Sequence, residues 1–241
     1  MDFRKYFEFA EGTAPVILSC PHGGYKKPKR IPNKNLGPKI SDKNTYFITK
    51  LIINLLKKEG IDIYYILNKV HRSKLDLNRP PHSSSAFNKS STEAKGIFHA
   101  FHDQLTKFSQ ECLAQFDKAL VIDFHGFTRP YKNYPDIIFG HIFGKTLDLI
   151  QNTTSKACEK YWGCYQLEEE ISKHFNIDNG FAESEYSLAY SGGYITHQFY
   201  NVKQVNTIQV EIAKYIRMDS TLTLKLVKAF TKAIVKSISE V

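Results

Sequence analysis

The apolar positions along the chain switch between two periods. Residues 15–20 (PVILSC) form an almost continuous apolar run of strand length, stopped by Pro21 and two glycines. After a polar, proline-bearing loop, Ser41 has the character of an N-cap for a helix over about 42–58, closed by Gly60. IDIYYIL at 61–67 is β-branched and aromatic and predicts a second strand. Pro80, Pro81 and the serines after them break the chain. Ile97, Phe101, Leu105, Phe108, Cys112 and Phe116 then keep a helical period. KALVID (118–123) predicts a third strand and DIIFG (136–140) a fourth, with helix again over about 154–175. The last third holds a glycine-rich loop, SGGYIT (191–196), a strand at TIQVEI (207–212) and a terminal helix from about Asp219. Strands alternating with helices imply one α/β domain spanning the chain, a three-layer αβα sandwich with helices on both faces of a mixed, mainly parallel sheet.

Composition narrows the classes. The 241 residues are 42% apolar and 24% charged, the balance of a globular protein. No run approaches the roughly 18 to 20 apolar residues of a membrane helix. The N-terminal stretch MDFRKYFEFAEG lacks the apolar centre of a secretory signal, so a cytoplasmic setting is expected. Cys20, Cys112, Cys158 and Cys164 form no CxxC pair, which excludes zinc-ribbon and thioredoxin patterns. Cys158 and Cys164 could pair in an oxidising compartment, but buried free thiols are the expectation. The net charge is +9. Its densest cluster, KKPKR (26–30), is short and has no interleaved aromatics, so it predicts a solvated basic surface rather than a nucleic-acid site. Such a balance also suits a small anionic substrate.

The candidate chemistry gathers at strand ends, where ligands bind in sheets of this kind. The first strand ends in Pro21-His22-Gly23-Gly24 and the third in Asp123-Phe124-His125-Gly126. HRSKLDLNRPP (71–81) follows the second strand, and Glu211 lies inside the late strand. Singly, each has an ordinary explanation: a loop histidine, a surface ion pair, an edge-strand carboxylate. Together on one sheet edge they point to a site. Two imidazoles, a carboxylate and a water make a catalytic zinc centre. Asp123, two residues before His125 on an extended chain, could orient that ring. Arg79, held before two prolines, suits a carboxylate clamp. Glu211 in an apolar run must be paired, metal-bound or held at raised pKa. His99 and His102 lack the spacing of a metalloprotease helix and are expected to be structural.

PHGG, DLNRP, DFHG, GGYIT and QVE, in this order over roughly 15–212, resemble the N-formylglutamate amidohydrolase family. That family is related to the zinc carboxypeptidases and to aspartoacylase and succinylglutamate desuccinylase. The resemblance implies a zinc-carboxypeptidase-like fold and one zinc ion held by His22 and His125. It implies Glu211 as general base and Arg72 as the group polarising the scissile carbonyl. Asn78 and Arg79 would grip a substrate carboxylate, and Tyr194, after Gly192 and Gly193, would donate to substrate. The carboxypeptidase pattern has a glutamate three residues after the first histidine, and here that position is Tyr25. The third ligand must come from elsewhere: Asp42 is the candidate, with Asp76 the second choice. The implied reaction is hydrolysis of an N-acyl, above all N-formyl, acidic amino acid. A carboxypeptidase-like or desuccinylase-like hydrolase and a non-catalytic basic binding protein are the alternatives.

Overall fold

The computed structural model describes residues 2–151 and 158–240. Its strands are β1 (Phe7–Ala10), β2 (Ala14–Cys20), β3 (Ile63–Asn68), β4 (Ala119–Phe127), β5 (Ile137–Gly140), β6 (Ile177–Asp178) and β7 (Val205–Ala213). They make one sheet in the order β1-β3-β2-β4-β7-β5-β6. The central strands β3, β2, β4 and β7 run parallel. β1 and β5 are antiparallel to their inner neighbours, and β6 is parallel to β5. The helices are α1 (Thr45–Lys58), α2 (Thr92–Phe116), α3 (Cys164–Ser172), α4 (Glu185–Ala189), α5 (Tyr194–Gln198), α6 (Lys214–Met218) and α7 (Ser220–Ser239).

The expected three layers are present. On one face Ile52 and Leu56 of α1, Leu167 of α3 and Phe230 and Ile234 of α7 pack with Val16, Leu18, Leu120, Ile122, Ile208 and Val210. On the other, Ile97, Phe101, Leu105 and Phe108 of α2 pack with Ile17, Ile66, Val121 and Val205. Covering both faces explains why the central strands are apolar at nearly every position. Chain order sets where a ligand can enter. β2 leads through α1 to β3 on one side, and α2 then carries the chain back across to β4 on the other side of β2. The carboxyl ends of β2 and β4 therefore flank a topological switch point, where open sheets leave a crevice.

Several boundaries differ from expectation for identifiable reasons. Helix α1 starts at Thr45, not near 42, with Asn44 as its N-cap in the left-handed region at φ 69°. Ser41 does not cap it; its hydroxyl donates to the Gly24 carbonyl and accepts the Arg72 N–H. β4 continues through His125 and Gly126 to Phe127, because β7 pairs with it along its whole length. The glycine-rich loop ends sooner than expected, since α5 begins at Tyr194. Of the helix expected over 154–175, residues 154–157 lie outside the described residues. The remainder is a 3-10 turn, Cys158–Lys160, and α3, separated by Gly163 at φ 81°. That reversal brings the Cα atoms of Cys158 and Cys164 to 5.7 Å, and they form a disulfide, correcting the expectation of free thiols. Such bonds are typical of oxidising compartments. Cys20 and Cys112 are free and buried, as expected.

Burial lowers the pKa of two histidines in the fold, His141 and His102. His141 donates from Nε2 to the Asn179 carbonyl at 2.7 Å and accepts the Gly144 N–H on Nδ1 at 2.8 Å, an arrangement only the neutral ring can make. Burial pushes its pKa down to about 4, and does the same to His102. In the unfolded chain both titrate near ~6.5. Below that pH the unfolded state binds protons that the folded state refuses. Their contribution is thus intact above about pH 6.5 and declines towards pH 4, by up to about 3 kcal/mol per ring. Urea unfolding should show His141→Gln losing stability less steeply than the parent protein between pH 7 and 4.5; an equally steep loss contradicts this assignment.

Candidate active site

Both central histidines sit at the switch point. His22 follows β2, beside Gly23, where an added Cβ would lie 2.4 Å from the Tyr46 nitrogen, so only glycine lets the chain pass the start of α1. His125 projects from β4 on the α2-facing side, the side of Val121 and Asp123. The two rings meet edge to face with centroids 4.8 Å apart and Nδ1 atoms 3.1 Å apart. Their other nitrogens point away, each to a fully buried carboxylate. His22 Nε2 is 2.7 Å from Asp76 Oδ1, and His125 Nε2 is 2.6 Å from Asp123 Oδ2. Asp42 completes the group: its Oδ2 lies 3.5 Å from His22 Nδ1 and 3.7 Å from His125 Nδ1. The same oxygen accepts the Gly126 N–H at 3.0 Å.

This donor set fits a divalent cation. Bonds of about 2.0–2.1 Å to a tetrahedral zinc put ligand atoms roughly 3.3–3.4 Å apart, and the observed gaps run from 3.1 to 3.7 Å. His22, Asp42 and His125 are all buried and offer ligand atoms within 4.8 Å of one another. A carboxylate behind each ring is what fixes the tautomer and orientation of a metal-binding imidazole. Electrostatics agree. Burial presses the His125 pKa down, but Asp123, Asp42 and Glu211 outweigh it and lift it to about 10. Burial would raise Asp42, yet the two imidazoles hold it well below the usual carboxylate range. The cluster is a well for positive charge.

Asp76, the alternative third ligand, instead backs His22. It also accepts Arg72 Nε at 2.9 Å and the Asn78 N–H at 3.1 Å, with the buried Lys34 ammonium 3.6 Å away. Arg72 spans both acids, its Nη1 lying 3.4 Å from Asp42 Oδ1. Glu211 pairs in register with His125 across β4 and β7. Burial pushes its pKa up to about 7, against the pull of His125. His22, Asp42, Arg72, His125 and Glu211 line a cleft of about 320 Å³, together with Phe127, Thr128 and Tyr190.

Arg79 stands exposed at the mouth of the cleft. Asn78 also lines it, with its amide tied into the framework: Oδ1 accepts the Ile195 N–H at 2.8 Å and Nδ2 donates to Gln209 Oε1 at 3.1 Å. Gly193 must lack a side chain, since a Cβ there would fall 2.1 Å from Asn78 Nδ2. Tyr194 is a correction. Its ring packs edge-on against His102 at 5.2 Å rather than lining the cleft, because the turn into α5 directs it towards α2; Tyr190 lines the cleft instead. His99 is exposed, and His102 lies within hydrogen-bond distance of the Leu77 carbonyl and Gln198. Tyr25 stacks on Phe47 at the surface. Gln209 was not foreseen: its Nε2 donates to Glu211 Oε1 at 3.1 Å, and its Oε1 accepts the Gly193 N–H. Its position two residues before Glu211, on the same strand face, was a usable signal.

The profile of the N-formylglutamate amidohydrolase family matches residues 92–218. The chain belongs to that family, and so is a hydrolase of amide bonds in N-acyl amino acids. The matched region includes His125 and Glu211, while His22, Asp42, Arg72 and Arg79 lie before it. The chain resembles the crystal structure of N-formylglutamate amidohydrolase from Ralstonia eutropha JMP134, with TM-score 0.70 and 12% identity, over 98% of this chain and 99% of that one. It also resembles a gene product of Agrobacterium tumefaciens, with TM-score 0.67 and 15% identity, over 98% and 95%. At these identities the likeness is one of fold. No curated protein matches the sequence.

The ties on Asp76 predict a large stability effect. Asp76→Ala leaves Lys34 and Arg72 short of their buried partner and should cost about 3–5 kcal/mol, measured by urea unfolding of the metal-free protein. A loss under about 1 kcal/mol, the range of an exposed pair, would show that Asp76 is not the hub.

Proposed function

We propose that the chain is a zinc-dependent amidohydrolase that releases an N-acyl group, formyl in the first instance, from a small acidic amino acid such as N-formyl-glutamate. The observation that carries this is the convergence of His22 Nδ1, His125 Nδ1 and Asp42 Oδ2 at ligand spacing, with Glu211 beside them. Zinc held by these three residues supplies Lewis acidity to the amide carbonyl and acidifies water. Glu211, with a pKa near neutrality, takes the proton of the attacking water and passes it to the leaving nitrogen. Gln209 steadies the Glu211 carboxylate during both transfers. Arg72, clamped by Asp42 and Asp76, presents a preorganised cation to the oxyanion that develops as the carbonyl is attacked. Arg79, with no carboxylate paired to it among the described residues, grips the substrate's own carboxylate at the mouth, with Asn78 beside it. The net charge of +9 favours approach of such an anion. The KKPKR segment contributes no residue to the lining of the cleft, and its Arg30 pairs with Glu93.

Two variants test the roles through formate release from N-formyl-glutamate. Glu211→Gln should keep near-stoichiometric zinc and lose turnover by about 10²–10⁴-fold; unchanged turnover removes Glu211 as the base. Arg79→Ala should raise KM for carboxylate-bearing substrates by about tenfold or more while largely sparing kcat, as loss of uniform binding does. An equal effect on an uncharged analogue excludes the clamp. Succinyl-glutamate run beside the formyl substrate tests the acyl group, and a preference for succinyl would overturn that part of the proposal.

A further inference from the structure

Arg217 takes no part in the chemistry above, yet its side chain is buried beneath the site. It lies in the last turn of α6 and pairs with no carboxylate among the described residues; each arm of the guanidinium donates to a backbone carbonyl instead. Nε donates to Ile212 at 2.9 Å, Nη2 to Phe127 at 3.1 Å, and Nη1 to Lys43. These carbonyls are not scattered. Lys43 follows Asp42, Ile212 follows Glu211, and Phe127 lies two residues beyond His125. The Arg217 carbonyl in turn accepts Asn44 Nδ2 at 2.7 Å, closing a second link to the Asp42 turn.

We infer that Arg217 is a positioning residue: its rigid planar fork ties together the three segments carrying Asp42, His125 and Glu211 and so sets the spacing of their side chains. Arginine suits this because its donors are fixed in one plane and its charge persists when buried. Isolated burial of a cation is costly, so its retention here calls for a role. Gly126 belongs to the same device. A Cβ at that position would fall 2.4 Å from both Cζ and Nε of Arg217, so the fork seats only against a glycine. The Gly126 N–H also holds Asp42 Oδ2, which links the fork directly to the carboxylate. The glycine of Asp-Phe-His-Gly is thus explained by an arginine 91 positions further on, as the residue numbers show (217 − 126).

The effect on zinc rests on the proposal that Asp42 and His125 are ligands, so the test has an arm that does not. In the metal-free protein, hydrogen exchange should speed up about tenfold or more at Gly126 and across residues 42–45 in Arg217→Met, while β2 and β3 keep their protection. In chelator competition, Arg217→Met should bind zinc about 10–100-fold more weakly, and Arg217→Lys should recover part of the loss. Gly126→Ala should also weaken zinc, but add little in the Arg217→Met background, because the fork it displaces is already gone. If Arg217→Met does not fold, the Gly126→Ala protein carries both measurements. Unchanged exchange at Gly126 and 42–45 overturns the inference whether or not zinc binds. Zinc affinity equal to that of the parent, or fully additive losses in the double variant, also overturns it. A parent protein that takes up no zinc refutes the proposed function instead, and exchange alone then decides the role of Arg217.

Discussion

Two carboxylate–imidazole bonds decide whether this site can exist. Asp76 holds His22 by Nε2 and Asp123 holds His125 by Nε2, which leaves Nδ1 as the nitrogen of each ring not bound to its carboxylate. Because both anchors lie on the far sides of the rings, the two free nitrogens are turned towards each other at 3.1 Å. With both rings protonated they repel, with neither Nδ1 protonated two lone pairs face each other, and with a single proton one Nδ1 can donate to the other. A cation shared between them and Asp42 would engage both lone pairs at once.

The fold supplies these anchors through the alternation of its strands. On β4, Leu120, Ile122 and Phe124 turn to the α1/α7 core, while Val121, Asp123 and His125 turn to the α2 side. On β7 the same side carries Val205, Thr207, Gln209 and Glu211. Each strand is therefore apolar at its amino end and polar at its carboxyl end along one face, and parallel pairing aligns the polar ends. Burying so many acids is expensive, because every desolvated ion costs several kcal/mol that its partners must offset. Arg72 and Lys34 offset Asp76, Arg72 also reaches Asp42, and the Arg217 fork adds positive charge beneath Asp42 and Glu211. The site is a balanced cluster of charges in which removing one member leaves another buried without a partner.

Much of this was legible in the chain because the signal is local. An apolar run ending in His-Gly-Gly or Asp-Phe-His-Gly, or holding a single glutamate, identifies strand ends and their faces, and His22, His125 and Glu211 do line one cleft. The long α2 helix announced itself through its period. What escaped was whatever depends on partners distant in sequence. Asp42 was named as a candidate ligand, but it reaches the histidines from a turn before α1 rather than from the helix start, since its backbone is held by His22 and Thr45. Asp76 is committed to His22, Arg72 and the Asn78 N–H, which composition does not reveal. Tyr194 was misplaced because a glycine pair suggested an open loop where a helix begins. The disulfide depends on Gly163 reversing the chain, a conformation that spacing alone does not specify.

The central claim is that His22, His125 and Asp42 share one metal ion, and anomalous diffraction on zinc-loaded crystals at the zinc absorption edge tests it most directly. The account predicts a single strong peak about 2.0–2.2 Å from His22 Nδ1, His125 Nδ1 and an Asp42 oxygen. A peak bound elsewhere, or none between the two imidazoles, would contradict it.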